Sequence, residues 1–283
     1  MAQPPLSHAM AKLERELNST LLVRSPRGVE LTEAGKVLLA ESYEIIKRID
    51  SARLMVRDTA RRGPETLRVG LVGGLIAAAD LTAPIIRAFR RDFAHIRLEL
   101  QDMSLDRRVD PLVSGELDVV IERPPYVDDR LELVTLFNEP RVLCISADHP
   151  LAAEPELPSA EVLEVPMVEF VTPHPEQTEF WSLDTLRGGH APRRSQSSAS
   201  AISDMQLAVV SGQGATTAAL SAWRFGLQTP LLRAIALPDA PPSVVALAYL
   251  RERSRPATAA FVETAQAITR NMINLVPGGR LPG

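Results

Sequence analysis

The 283-residue sequence has a single cysteine, Cys144, so no disulfide can close within the chain. Cys144 lies in the apolar run Val142-Leu143-Cys144-Ile145, the placement expected in a reducing cytoplasm and equally that of a small buried hydrophobe. With no second thiol to resolve a sulfenic acid, a redox-sensor role is the minor reading. No stretch approaches the ~18 apolar residues of a membrane span. The N-terminus has no basic region leading into an apolar one, so a signal peptide is not expected and the cytoplasm is. The five histidines, His8, His95, His149, His174 and His190, are scattered without paired ligand spacing, which leaves a metal site unsupported. There is no G-x-S-x-G elbow and no Walker A loop. Gly212-Gln213-Gly214-Ala215-Thr216-Thr217 lacks a third glycine and follows an expected helix, so it reads as a turn. Asp102 and Asp106 read as solvated loop acids. No catalytic, metal or cofactor residue is assigned, and an enzyme is not expected.

The sequence also lacks a strong charge of either sign, with a net −4. The balance is nonetheless uneven. Residues 1–62 hold 11 Lys+Arg against 8 Asp+Glu and the rest 20 against 27, so +3 gives way to −7. A basic end suits contact with a polyanion.

That end opens with Pro4-Pro5, residues suited to a first helical turn. Leu6, Met10, Leu13 and Leu17 then fall on one helical face. Ser7, His8, Ala11, Lys12 and Arg15 lie away from it, a mixture suited to a groove edge and its flanking phosphates. Leu21-Leu22-Val23 and Val29-Glu30-Leu31 read as two short strands around a Ser25-Pro26-Arg27-Gly28 turn. The run Q-P-P-L-S, then L-E-R-E-L, then L-V-R-S-P-R-G-V-x-L-T-E-A-G is similar to the second half of the winged helix-turn-helix of LysR-type transcriptional regulators. The resemblance implies that Gln3, Pro5, Ser7, His8 and Lys12 face DNA and that Arg24 and Arg27 hold phosphates or reach the minor groove. His8 departs from the Arg or Gln of many relatives. Only Met1-Ala2-Gln3 precede Pro4, so the first helices of the motif are expected to be missing, with Met1 read as an internal methionine taken as the start. The alternative function is a small-molecule binding protein whose DNA contact is lost through that truncation.

Thr32 is a suitable N-cap for a helix over about 33–62, roughly 45 Å long. Leu38, Ser42, Ile45, Ile49, Ala52 and Val56 keep the four- and three-residue spacing of a coiled-coil seam. This predicts dimerisation through Leu38, Ile45, Ile49, Ala52 and Val56, as in the family's linker helix. Residues 63–66 form a hinge. Strand and helix then alternate: Leu67 to Leu71 strand, Ile76 to Asp92 helix, Ile96 to Gln101 strand, Leu105 to Ser114 helix, Leu117 to Glu122 strand. Further strands are expected at Leu131 to Leu136, Arg141 to Ser146, Val165 to Phe170 and near Leu231 and Val244. Helices are expected from Gln177, over Ile202 to Ser211, and over Pro256 to Leu275. The fold class is therefore α/β: a partial winged helix-turn-helix (1–32), a linker helix (33–62), and an effector-binding domain (67–283). The domain resembles a two-subdomain periplasmic-binding-protein fold, with subdomain I over about 67–137 and 253–276 and subdomain II over about 138–252.

The resemblance places an effector between the subdomains, at Gly73, Gly74, Met103, Ser104, Arg123, Phe170, Thr172 and Ser198. Glycines that let a ligand approach backbone amides favour a carboxylate or another anion, and Arg123 would add a charge-assisted bond. The same glycines also serve an ordinary turn, and Arg123 can instead pair with Glu122 or another acid. Gly74 and Leu105 stand where diacid-sensing relatives place hydroxyl side chains, which points to a less polar effector. The expected function is a ligand-responsive regulator, a homodimer or homotetramer on operator DNA.

Overall fold

The computed structural model describes residues 3–25, 28–39, 41–42, 45, 49, 65–104, 107, 109–188, 193–253 and 255–283. The chain divides into two compact units, Met1–Arg61 and Arg62–Gly283.

In the first unit a helix, Gln3–Glu16, precedes an antiparallel hairpin of β1 (Leu22–Ser25) and β2 (Gly28–Leu31), with Leu22 opposite Leu31. Glu14 ties the two together, its Oε1 accepting from the amides of Leu21 at 2.7 Å and Leu22 at 3.1 Å. Thr32 caps the next helix as expected, its hydroxyl accepting from the Gly35 amide at 3.0 Å and donating to Thr20 O at 2.7 Å. Gly35 is required by close approach, because a Cβ there would lie 2.2 Å from Leu21 O. The backbone is helical over residues 33–39 and at 41, 42, 45 and 49. On the expected apolar face of the first helix, Met10 and Leu13 are half-buried and Leu17 is 46% exposed.

The second unit holds two sheets. The first, in order β4-β3-β5-β12-β6, contains β3 (Thr66–Val72), β4 (Arg97–Met103), β5 (Val119–Glu122), β6 (Leu131–Glu139) and β12 (Ser243–Leu250). β3 runs parallel to β4 and β5, while β12 is antiparallel to β5 and β6. Val69 and Leu71 point to the face covered by the helices Thr82–Asp92 and Pro256–Met272, where Phe89 meets Phe261 edge-on at 5.2 Å. Val72 faces the opposite side, with Met103, Leu112 and Val120. The second lobe is built on an antiparallel sheet of β7 (Arg141–Ser146) between β10 (Thr216–Ala219) and β11 (Leu232–Ala236), beside a parallel pair of β8 (Met167–Phe170) and β9 (Arg194–Ala199). Two crossings join the lobes: Pro140 between β6 and β7, and residues 237–242 between β11 and β12.

Several sequence expectations shift. β12 lies inside the range assigned to subdomain II, yet it pairs in the first sheet, because its apolar run suits a buried strand of either lobe. The helix expected from Ile76 starts at Thr82, after two 3-10 turns at Gly74–Ile76 and Ala79–Leu81; of the one expected from Leu105, the described helical part is Asp110–Ser114, and Leu105 itself lies outside the described residues. The turn read at 212–217 contains the start of β10, and β9 falls in a stretch too polar to show strand alternation.

Candidate functional site

Where the two crossings meet, a buried polar cluster joins the lobes. Arg123 leaves the end of β5 and is 7% exposed. Its Nη2 donates to Glu139 Oε1 at 2.6 Å, Ser221 Oγ at 2.9 Å and Ile76 O at 3.2 Å, and its Nη1 to Ser243 Oγ at 2.8 Å. Glu139, 1% exposed at the end of β6, also accepts from the Ser221 amide at 2.7 Å and hydroxyl at 2.8 Å. Gln177 donates to Arg123 O at 3.0 Å. One buried ion pair thus fixes the ends of β5 and β6, the start of β12 and the segment after β10.

A cleft opens above this cluster. From the first lobe come Val72, Gly73, Ile76 and Arg123; from the second, Phe170, Trp181, Ile202, Met205, Leu227 and the whole of β10, Thr216 to Ala219. Gly73 and Gly74 adopt φ of 77° and 61°, a left-handed turn that glycine enters without strain and that carries the chain off β3. The two threonine hydroxyls on the wall are already engaged, Thr216 donating to Thr217 O and Thr217 to Trp181 O. The lining is largely apolar, the usual character of small-molecule sites. At one edge Asp80 of the first lobe meets Arg224 of the second in a bidentate pair, at 2.7 and 3.2 Å.

Behind the wall, Arg141 on β7 is 2% exposed, its guanidinium 4.1 Å from the Phe180 ring centroid and 5.6 Å from that of Trp181. Its Nε and Nη2 have no hydrogen-bond partner among the described residues, and burial lowers its pKa to about 10. Cys144, on the same strand, is buried with its thiol pushed up to about 12 by desolvation.

Of the residues singled out from the sequence, Gly73, Arg123 and Phe170 line the cleft, and Gly74 follows Gly73 in the same turn. Met103 is buried in the core beneath it, and Ser104 is exposed at the end of β4. Thr172 borders a shallow groove with Pro175 and Arg194, and Ser198 is exposed on β9 opposite Glu169. Trp181, Met205, Leu227 and β10 were not singled out from the sequence, since strand order alone brings them to the opening. In the first unit, Gln3, Pro5, Ser7, His8 and Lys12 belong to the first helix; Lys12 is exposed and pairs with Glu16 at 3.7 Å. The side chains of Gln3, Pro5, Ser7, His8 and Arg24, and the whole of Arg27, lie outside the described residues. Leu38 is half-buried, Ile45 and Ile49 are 55% and 49% exposed, and Ala52 and Val56 lie outside the described residues. Among the described residues no group of His, Cys, Asp and Glu has a metal-holding arrangement, and no helix is long and apolar enough to cross a membrane.

The profile of the LysR substrate binding domain matches residues 60–269, and that of the bacterial regulatory helix-turn-helix protein, lysR family, matches residues 1–36. The chain is 36% identical over 181 residues to the uncharacterized HTH-type transcriptional regulator YnfL of Escherichia coli K12, covering 62% of this chain and 58% of the relative. It is 32% identical over 168 residues to the HTH-type transcriptional regulator AlsR of Bacillus subtilis, covering 59% and 55%. The chain thus matches a little over half the length of these relatives. In structure, full-length BenM superposes with a TM-score of 0.59 at 24% identity over 96% of this chain and 89% of that one. The BenM effector binding domain with its effector benzoate gives 0.60 at 20% identity, over 74% and 94%. Two family profiles, falling in order on the N-terminal helix and hairpin and on the two-lobed α/β unit, establish that this chain belongs to the LysR-type transcriptional regulator family.

Proposed function

We propose that this protein is a cytoplasmic, DNA-binding transcriptional regulator whose two-lobed domain senses a small molecule. The observation that carries the reading is the pairing, in one chain, of a LysR-family DNA-reading segment with a cleft between two crossing-linked lobes. The helix Gln3–Glu16 would present Gln3, Pro5, Ser7, His8 and Lys12 to the major groove, and Arg24 and Arg27 of the hairpin would meet the backbone. The helix that starts after Thr32 would pair two chains along Leu38, Ile45, Ile49, Ala52 and Val56, giving a homodimer or homotetramer that reads spaced half-sites. An effector in the cleft would act by binding one arrangement of the lobes better than the other, which is what coupling to DNA requires.

Fluorescence anisotropy of the chain on duplex DNA from beside its own gene, taken through a salt series, tests this. The expected affinity falls steeply with salt, and Lys12→Ala or Arg24→Ala each lowers the slope of log K against log salt by about 0.9. Folded protein that shows no salt-sensitive binding would favour a small-molecule binding protein without DNA contact.

A further inference from the structure

The side chains around the cleft say which chemistry it accepts. Its surface is made by Val72, Ile76, Phe170, Trp181, Met205 and Leu227, with Thr216 and Thr217 spending their hydroxyl protons on protein carbonyls. The cation on its floor, Arg123, is held by Glu139 at 2.6 Å and by two serine hydroxyls. Two backbone turns beside the cleft each have a carboxylate close by. At the start of the helix Ile202–Val210, Asp204 Oδ2 accepts from the Ala201 amide at 3.1 Å and the Ser200 hydroxyl at 3.0 Å. At the turn after β3, a Cβ on Gly74 would come within 3.4 Å of Asp102 Oδ1.

We propose that the cleft takes an uncharged, largely apolar ligand, a compact ring against Phe170 and Trp181, and discriminates against carboxylates. This rests on the reading of the cleft as the effector site. A carboxylate entering it would leave water and find Arg123 already paired with Glu139, and displacing Glu139 would strand a buried acid. A neutral ring leaves water at no such cost and gains apolar burial. The anion option drawn from Gly73 and Gly74 is therefore the less favourable of the two.

The test uses toluene and benzoate, the same ring carrying a methyl or a carboxylate, titrated against the full chain. The readouts are the emission of its two tryptophans, Trp181 on the cleft wall and Trp223 in the apolar clusters beside it, and the melting temperature. The expected result is toluene binding at least tenfold tighter than benzoate, with toluene binding lost in Ala222→Leu, which adds bulk at a residue that also lines the cleft. Benzoate binding as tightly as toluene, and likewise lost in Ala222→Leu, would overturn the charge assignment while leaving the effector-cleft reading intact. Binding of neither probe to folded protein would overturn both, with DNA binding then measured separately by anisotropy. Toluene binding that survives Ala222→Leu places the ligand elsewhere and also overturns the proposal.

Discussion

Two buried arginines in one lobe-joining region should respond oppositely to the same substitution. Arg123 has its charge paired with Glu139 and both Nη atoms hydrogen-bonded, so Arg123→Met leaves the Glu139 carboxylate buried against Ser221 without its cation. Removing one partner of a buried pair costs about 3–5 kcal/mol. At roughly 2–4 °C per kcal/mol for a unit of this size, the melting temperature should fall by about 6–20 °C. Arg141 differs, since among the described residues neither its Nε nor its Nη2 has a hydrogen-bond partner, and burial lowers its pKa to about 10. Arg141→Met forfeits the stacking on Phe180, about 2 kcal/mol for a desolvated cation over a ring, but releases a desolvation penalty of several kcal/mol. The net change should lie within about 1 kcal/mol of zero or be stabilising. The sign with pH agrees: a depressed folded pKa means that the cost of keeping Arg141 charged is present at neutral pH and is relieved only as pH rises through about 10. Thermal melts by circular dichroism at pH 7, with tryptophan emission as a second probe, measure both variants. A loss above about 2 kcal/mol in Arg141→Met, or a loss in Arg123→Met no larger than that in Arg141→Met, would refute the reasoning. The double variant Arg123→Met with Glu139→Leu should recover most of the single-variant loss, because it removes both charges together.

Cys144 should make the protein alkali-sensitive. With the folded thiol raised from 9.0 to about 12, its contribution is intact below pH 9 and is lost as pH rises toward 12, at about 1.4 kcal/mol per pH unit. Urea midpoints at pH 8 and 10.5 should therefore converge for wild type and Cys144→Ala, and parallel midpoints would refute the assignment. Thr32→Ala should cost about 1 kcal/mol through loss of the cap and speed hydrogen exchange at the Gly35 amide, which the Thr32 hydroxyl holds. Unchanged exchange would show that the cap contributes nothing. Arg224→Met, which removes the pair across the cleft edge, should cost no more than about 1 kcal/mol because the pair is partly solvated. It should still speed ligand release in stopped flow, and an unchanged off-rate would remove the pair from any part in closing the lobes.

How much of this was legible in the sequence depends on whether a residue's role is set by its neighbours along the chain or across it. Thr32 just ahead of a helical periodicity is a local signal, and it appears in the structure as a cap whose hydroxyl accepts from the Gly35 amide. Arg141 to Ser146 is found as a strand at the expected residues because its hydrophobic run is short and bounded by proline. Arg123 was legible as a charge at a strand end, but its partner Glu139 is reached through the register of β6 against β12 and of β12 against β5, which no spacing encodes. β12 itself shows the limit: its run of small and branched apolar residues satisfies a central strand in either lobe, and only its antiparallel fit between β5 and β6 selects the first. The case of β10 joins this limit to function. Thr216, Thr217, Ala218 and Ala219 show no alternation and follow two glycines, so they resemble a turn; what hides them as a strand is the smallness of their side chains. That smallness is also what a ligand needs from a wall, since larger side chains at the same positions would fill the space between Ile76 and Met205 with protein. The segment least readable as structure is thus the one whose composition most directly leaves the cleft open.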